Sequence, residues 1–133
     1  MRVALALDVG EKRIGLAWGD DQVKLASPYG IVEMGENVVA EIANIAEKLK
    51  AEVLVLGLPR NSKGEETQQS LYVRDFAKKL EVLGLPIVFQ DESLTSVEAE
   101  KNAQSSKNYQ AGQPIDDIAA SLILSDYLEK QNA

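Results

Sequence analysis

The chain of 133 residues contains no cysteine and no histidine, and aromatic residues make up only 5% of it. Without cysteine there is no disulfide framework and no thiol nucleophile, and a cytoplasmic location is the simple expectation. Without histidine as well, neither a Ser-His-Asp triad nor an ordinary zinc site can be built. Trp18 and the four tyrosines are too scattered to form a base-stacking platform, which leaves them structural roles. No apolar run approaches the roughly 20 residues that span a bilayer. The opening segment, Met1 to Leu7, has no cleavage-site pattern and reads as a strand rather than a leader. Polar catalysis must therefore come from Asp, Glu, Lys, Arg, Ser, Thr, Tyr or a bound metal. A site of oxygen ligands alone suits magnesium or manganese.

What is present is a 45% hydrophobic complement, enough for a core, and a net charge of −7. That balance argues against a simple nucleic-acid-binding module, which would be basic. It does not exclude a nuclease whose own site is made of carboxylates. The distribution matters more than the total. Acids concentrate in Glu33–Glu52, whereas Lys101 to Ile115 holds two lysines and no acid, and Arg60–Gly64 is purely basic.

Val3 to Leu7 and Val53 to Leu56 are continuous apolar runs, as in strands buried on both faces. Gly10-Glu11-Lys12 turns the first strand back into Arg13–Trp18, and a third strand falls within Lys24–Glu33, interrupted near Pro28 and Gly30. Val38, Val39, Ile42, Ile45, Ala46 and Leu49 are at helical spacing behind Asn37 as N-cap. The polar loop Arg60–Gln68 leads to a helix burying Val73, Phe76, Ala77, Leu80 and Leu83, which Gly84 closes. Pro86–Gln90 is the next strand, followed by a short helix around Ser96–Ala103, the flexible-looking stretch Gln104–Gln113, and a last helix from Asp116 to about Lys130. Its expected apolar face is Ile118, Ala119, Leu122, Ile123 and Tyr127. A hairpin-linked trio followed by crossover units predicts an α/β fold, a mixed sheet with helices on both faces, and one domain over residues 1–133.

Three acidic positions stand out. Asp8 ends an apolar strand, where α/β sheets place ligands; taken alone it is equally a turn-forming residue. Asp91-Glu92 ends another strand, though acids also favour the start of the next helix. Asp116-Asp117 opens the last helix, where one acid would suffice as a cap. Together they suit a pair of metal ions about 3.5–4 Å apart, which needs several convergent carboxylates and neither histidine nor cysteine. Such a pair activates water and stabilises the leaving oxygen of a phosphodiester. Spacing alone does not establish that they converge.

Asp8-Val9-Gly10-Glu11-Lys12-Arg13-Ile14-Gly15-Leu16-Ala17 resembles the opening motif of the YqgF/RuvX family. Gly57-Leu58-Pro59-x-Asn61-x-x-Gly64, Asp91-Glu92-x-Leu94-Thr95-Ser96-x-Glu98-Ala99 and Asp116-Asp117-x-Ala119-Ala120 resemble its other three, in order, over about residues 3 to 128. The resemblance implies a ribonuclease H-like fold with a five-stranded sheet. It implies Asp8, Glu92 and Asp116 as the catalytic and metal-binding triad, for Mg2+ or Mn2+ and two ions; Asp117 beside them is a candidate for orienting the ligands. The implied activity is hydrolysis of phosphodiester bonds that matures the 5′ end of pre-16S rRNA. Holliday junction resolution, the family's older assignment, is the alternative, and a non-catalytic nucleic-acid-binding scaffold is a second. The implied partners are structured RNA or branched DNA and ribosomal precursor particles, with no membrane; monomer and homodimer both stay open. Arg13, Arg60, Asn61 and Lys63 are candidate substrate contacts, with solvated loop charges as the plain alternative. Lys101 and Lys107 read as solvated. Two positions depart from the pattern: Ser93 stands where the family often has Arg, and Arg60 where an apolar residue is frequent. A sugar-kinase or actin-like ATPase shares the Asp8-x-Gly10 hairpin but needs a second such domain, and Gly64-Glu65 breaks any Gly-x4-Gly-Lys-Ser/Thr loop.

Overall fold

The two apolar runs become the central strands of a five-stranded sheet in a computed structural model. It describes residues 2–22, 25–92 and 116–130, with the side chains at 92, 116, 117 and 130 outside that description. The strands are β1 (Val3–Val9), β2 (Arg13–Asp20), β3 (Ser27–Glu33), β4 (Val53–Pro59) and β5 (Ile87–Glu92), in the spatial order β3-β2-β1-β4-β5. β1, β2 and β3 pair antiparallel, while β1, β4 and β5 run parallel. The helices among the described residues are α1 (Val38–Leu49), α2 (Gln68–Leu80), a 3-10 turn (Glu81–Leu83) and α3 (Asp116–Lys130). The helix expected at 96–103, the stretch 104–113, and Ser93, Lys101 and Lys107 lie outside the described residues.

Strand alternation divides the core into two layers. Leu5, Leu7, Ile14, Leu16, Leu54 and Leu56 face α1 and α2, which supply Val38, Ile42, Val73, Phe76 and Leu80. Ala4, Ala6, Ala17, Val53 and Val55 face α3, which supplies Ala120, Ile123, Leu124, Tyr127 and Leu128. One layer is thus leucine-rich and the other floored with alanine. Each fully buried Leu contributes about 1.5–3 kcal/mol, so the leucine layer carries the larger share of the burial.

The hairpin closes as expected. The Gly10 N–H donates to the Arg13 carbonyl at 3.0 Å, and a Cβ on Gly10 would stand 2.8 Å from that oxygen. The interruption of β3 is a bulge: Leu16 pairs with Gly30 and Ala17 with Pro28, leaving Tyr29 over. β3 is an edge strand, where a residue without an N–H is tolerated. Asn37 does precede α1, but its side chain makes no capping bond. Gly84 closes the 3-10 turn at φ 73°.

Several strand ends move, those of β5 with consequence for the site. β5 continues through Asp91 and Glu92, so both acids are strand residues, and Pro86 precedes it. The buried face of α3 is turned from the expected one: Ala120, Leu124 and Leu128 are buried, while Ile118 and Leu122 are half-buried.

Candidate active site

Asp8 is the penultimate residue of β1 and half-buried. It shares the alternation of Ala4 and Ala6, which puts it on the α3 face. On β5, Val88 packs into the α3-side cluster while Ile87 and Phe89 pack into the other. Gln90 and Glu92 therefore occupy α3-face positions and Asp91 an α2-face position. Glu92 pairs with Pro59 at the last register of β4. Asp8 and Glu92 thus sit on one face, at the carboxyl ends of parallel strands, with β4 between them.

The second half of α3 is located by its contact with β2. A Cβ on Gly19 would meet Leu124 Cδ2 at 3.3 Å and Leu128 Cδ1 at 3.4 Å. Gly19 pairs with Ala4, near the start of β1, so the second half of α3 lies over the amino end of that strand. Eight residues of helix separate Leu124 from Asp116, about 12 Å; four of strand separate Ala4 from Asp8, about 13 Å. The two lengths are nearly equal, and Asp116 is the first residue of that helix.

The candidate substrate contacts divide. The guanidinium of Arg60, at the end of β4, donates through Nε to Asp91 Oδ1 at 3.1 Å and through an Nη to the Gly64 carbonyl at 3.1 Å. This places Arg60 with Asp91 on the α2 face, across the sheet from Asp8. Asn61 organises its own loop, because its Oδ1 accepts the N–H groups of Lys63 and Glu65, each at 2.9 Å. Gly64 completes the turn at φ 80°, a conformation that favours glycine. Lys63 is exposed at the loop tip, and Arg13 is exposed at the start of β2.

A second ion pair braces the same loop. Arg74 of α2 holds Glu66 through two bonds of 2.7 and 3.0 Å and lies 5.0 Å over the Phe89 ring. The Arg74 hydrogen bond lowers the Glu66 carboxyl below its ordinary range, and that same bond raises Arg74. Buried Ser70 accepts the Thr67 N–H at 2.9 Å and donates to the Pro59 carbonyl, pinning the start of α2 to the end of β4. Gln69 and Tyr72 then reach the hairpin, donating to the carbonyls of Val9 and Gly10 at 3.4 Å. Arg74, Glu66 and Gln90 were not among the residues singled out from sequence. Gln90 had one signal, a polar residue in an otherwise apolar strand.

A mixed sheet whose parallel strands β1 and β5 carry acids at their carboxyl ends, with helices on both faces, defines a ribonuclease H-like fold. T. thermophilus RuvC, solved in complex with a Holliday junction substrate, shares it with a TM-score of 0.59 at 14% identity, over 100% of this chain and 97% of that one. Fowlpox virus resolvase, in complex with Holliday junction DNA, gives 0.52 at 14% identity over 98% and 99%. The chain belongs to the RuvX family, described as Holliday junction resolvase, whose model matches residues 2–130. Relatives include a "Putative pre-16S rRNA nuclease" of Picosynechococcus sp., 41% identical over 95% of this chain and 91% of its own length. A relative of the same name from Chloroflexus aurantiacus is 36% identical over 99% and 90%.

Proposed function

We propose that this chain is a metal-dependent nuclease that hydrolyses phosphodiester bonds of pre-16S rRNA at its 5′ end, in the cytoplasm, on ribosomal precursor particles. The carrying observation is that Asp8 and Glu92 share the α3 face at the carboxyl ends of β1 and β5, and Asp116 is the first residue of α3. The names of the family's relatives support pre-16S rRNA as the substrate. The single sheet, with a core layer on each face, supports reading residues 1–133 as one nuclease domain.

The donor set fits a hard divalent cation. All three candidate ligands are carboxylates, and the chain has no histidine or cysteine to favour a softer metal. Asp91 is engaged by Arg60 on the other face and is no part of the set. Asp8, Glu92 and Asp116 would hold Mg2+ or Mn2+, in two positions if Asp8 is shared. When bound, the cations supply Lewis acidity and offset the charge of the phosphodiester. The chain's own groups do the positioning. The rigid strand ends fix Asp8 and Glu92, and the braced β4–α2 loop presents Lys63 to the phosphate backbone. Arg13 offers a second positive charge beside the hairpin.

The test is cleavage of a 5′-extended pre-16S rRNA fragment with manganese or with EDTA, comparing wild type and Asp8→Asn. Manganese-dependent cleavage lost in the variant supports the reading. Equal cleavage by both removes Asp8 from the chemistry. Cleavage of a four-way DNA junction but not of the RNA would transfer the reading to junction resolution, and cleavage of neither to a binding scaffold.

A further inference from the structure

Across the three parallel strands, the level of Asp8 carries one more polar side chain. Gln90 of β5 pairs with Gly57 of β4. Gly57 follows Leu56, whose partner on β1 is Leu7, so Gly57 lies level with Asp8. All three positions alternate onto the α3 face. Glycine has no side chain, so β4 places nothing between the Asp8 carboxylate and the Gln90 carboxamide. Two strand spacings, about 10 Å, separate their backbones.

Gln90 is only 6% exposed and, with Ser70, is one of two buried polar side chains among the described residues. Ser70 is satisfied by Pro59 and Thr67. Gln90 makes no side-chain hydrogen bond among the described residues. No buried side-chain polar atom there lacks a partner, so its carboxamide reaches solvent instead of ending in the core. A glutamine held almost wholly inside the protein on the face and level of Asp8, with its amide reaching solvent, is suited to a ligand.

We infer that the Gln90 carboxamide recognises the ribose 2′-hydroxyl of the nucleotide held beside Asp8. This rests on the reading of the chain as a nuclease of RNA. The amide is neutral and offers both donors and an acceptor. Its match is a neutral group that both donates and accepts, and the 2′-hydroxyl is that group and the one that separates RNA from DNA. A phosphate oxygen between Asp8 and Glu92 calls for positive charge, which Gln90 lacks. A deoxyribose leaves the amide unpaired, the situation that gives hydrogen-bonding sites their selectivity.

The experiment is fluorescence anisotropy with a labelled 5′-extended pre-16S fragment made as RNA and as DNA of the same sequence. Calcium replaces manganese, and wild type is compared with Gln90→Met, a replacement of similar length without the amide. The wild type should bind RNA about tenfold more tightly than DNA. Gln90→Met should lose about that factor on RNA alone, with its melting temperature held or raised. Equal loss on both strands would mean a phosphate contact, and no loss on either would mean a filler; both overturn the inference. Should Gln90→Met fail to fold, equal wild-type affinity for RNA and DNA overturns it equally. Loss of cleavage in manganese with the RNA preference intact would strike the nuclease reading and not this one.

Discussion

Arg60 Nε stands 3.1 Å from Asp91 Oδ1, a link between residues 31 positions apart that fastens the loop after β4 to the end of β5. The arginine side chain is 29% exposed and the aspartate 55%, so the pair is screened and its coupling modest, about 0.5 kcal/mol. A double-mutant cycle with Arg60→Ala and Asp91→Ala, read by urea denaturation, should return a coupling of that order, reduced by salt. No coupling, together with a drop in RNA affinity for Arg60→Ala alone, would return Arg60 to the role of phosphate contact.

Neighbouring acids on opposite faces should behave differently. Glu92→Gln is expected to lower manganese-dependent cleavage by about a hundredfold or more, on the scale of losing a group that stabilises developing charge. Asp91→Asn should stay within about threefold of wild type, since it faces α2 and loses one exposed ion pair. Matched losses in steady-state rates would show that β5 presents both acids to one site.

The hairpin that carries Asp8 depends on a close approach. A methyl at Gly10 would meet the Arg13 carbonyl oxygen at 2.8 Å, and the oxygen belongs to backbone that is itself hydrogen-bonded. Gly10→Ala should destabilise the fold by about 1–3 kcal/mol, as overpacking does. A midpoint of thermal unfolding unchanged from wild type would mean that the turn relaxes freely.

The Glu66 carboxyl, lowered by its bond to Arg74, should titrate below 4.5 in the folded protein and move back up in Arg74→Met. Because the folded value is depressed, the contribution is complete above the unfolded value and is lost as pH falls through the folded one. Both groups are on the surface, so the sign of the shift, followed by NMR titration of the carboxyl carbon, is the quantity to read. A midpoint in wild type at or above that of Arg74→Met would contradict the bidentate pair.

Much of the architecture was legible because strand burial leaves a local trace. The apolar runs at 3–7 and 53–56 needed no partner to be read as central strands, and Gly10 marked the turn. The face of α3 was legible only in part: Ala119, Ile123 and Tyr127 are buried as expected, Ile118 and Leu122 only half so. Ile118, Ala119, Ala120, Leu122, Ile123, Leu124, Tyr127 and Leu128 are spread around most of the helix, so periodicity selects no single stripe; contact with the sheet does. Asn37 has the composition of a cap, but composition does not fix where a side chain bonds. At the site, Asp8 was visible as an acid ending an apolar strand. The turning of Arg60 toward Asp91 was not, since a tertiary pairing across 31 residues leaves no local pattern.

The alanine floor beneath α3 acts as a depth gauge. Ala4, Ala6 and Ala17 let the helix axis come nearer the sheet than the leucines of the other layer would. The height of α3 above the sheet is therefore set by methyl groups of the core. Enlarging one of them, as in Ala6→Leu, would lift the helix and alter the spacing between Asp8 and Asp116 while leaving every candidate ligand in the sequence. The geometry of such a site is written as much in the smallest residues of the core as in its carboxylates.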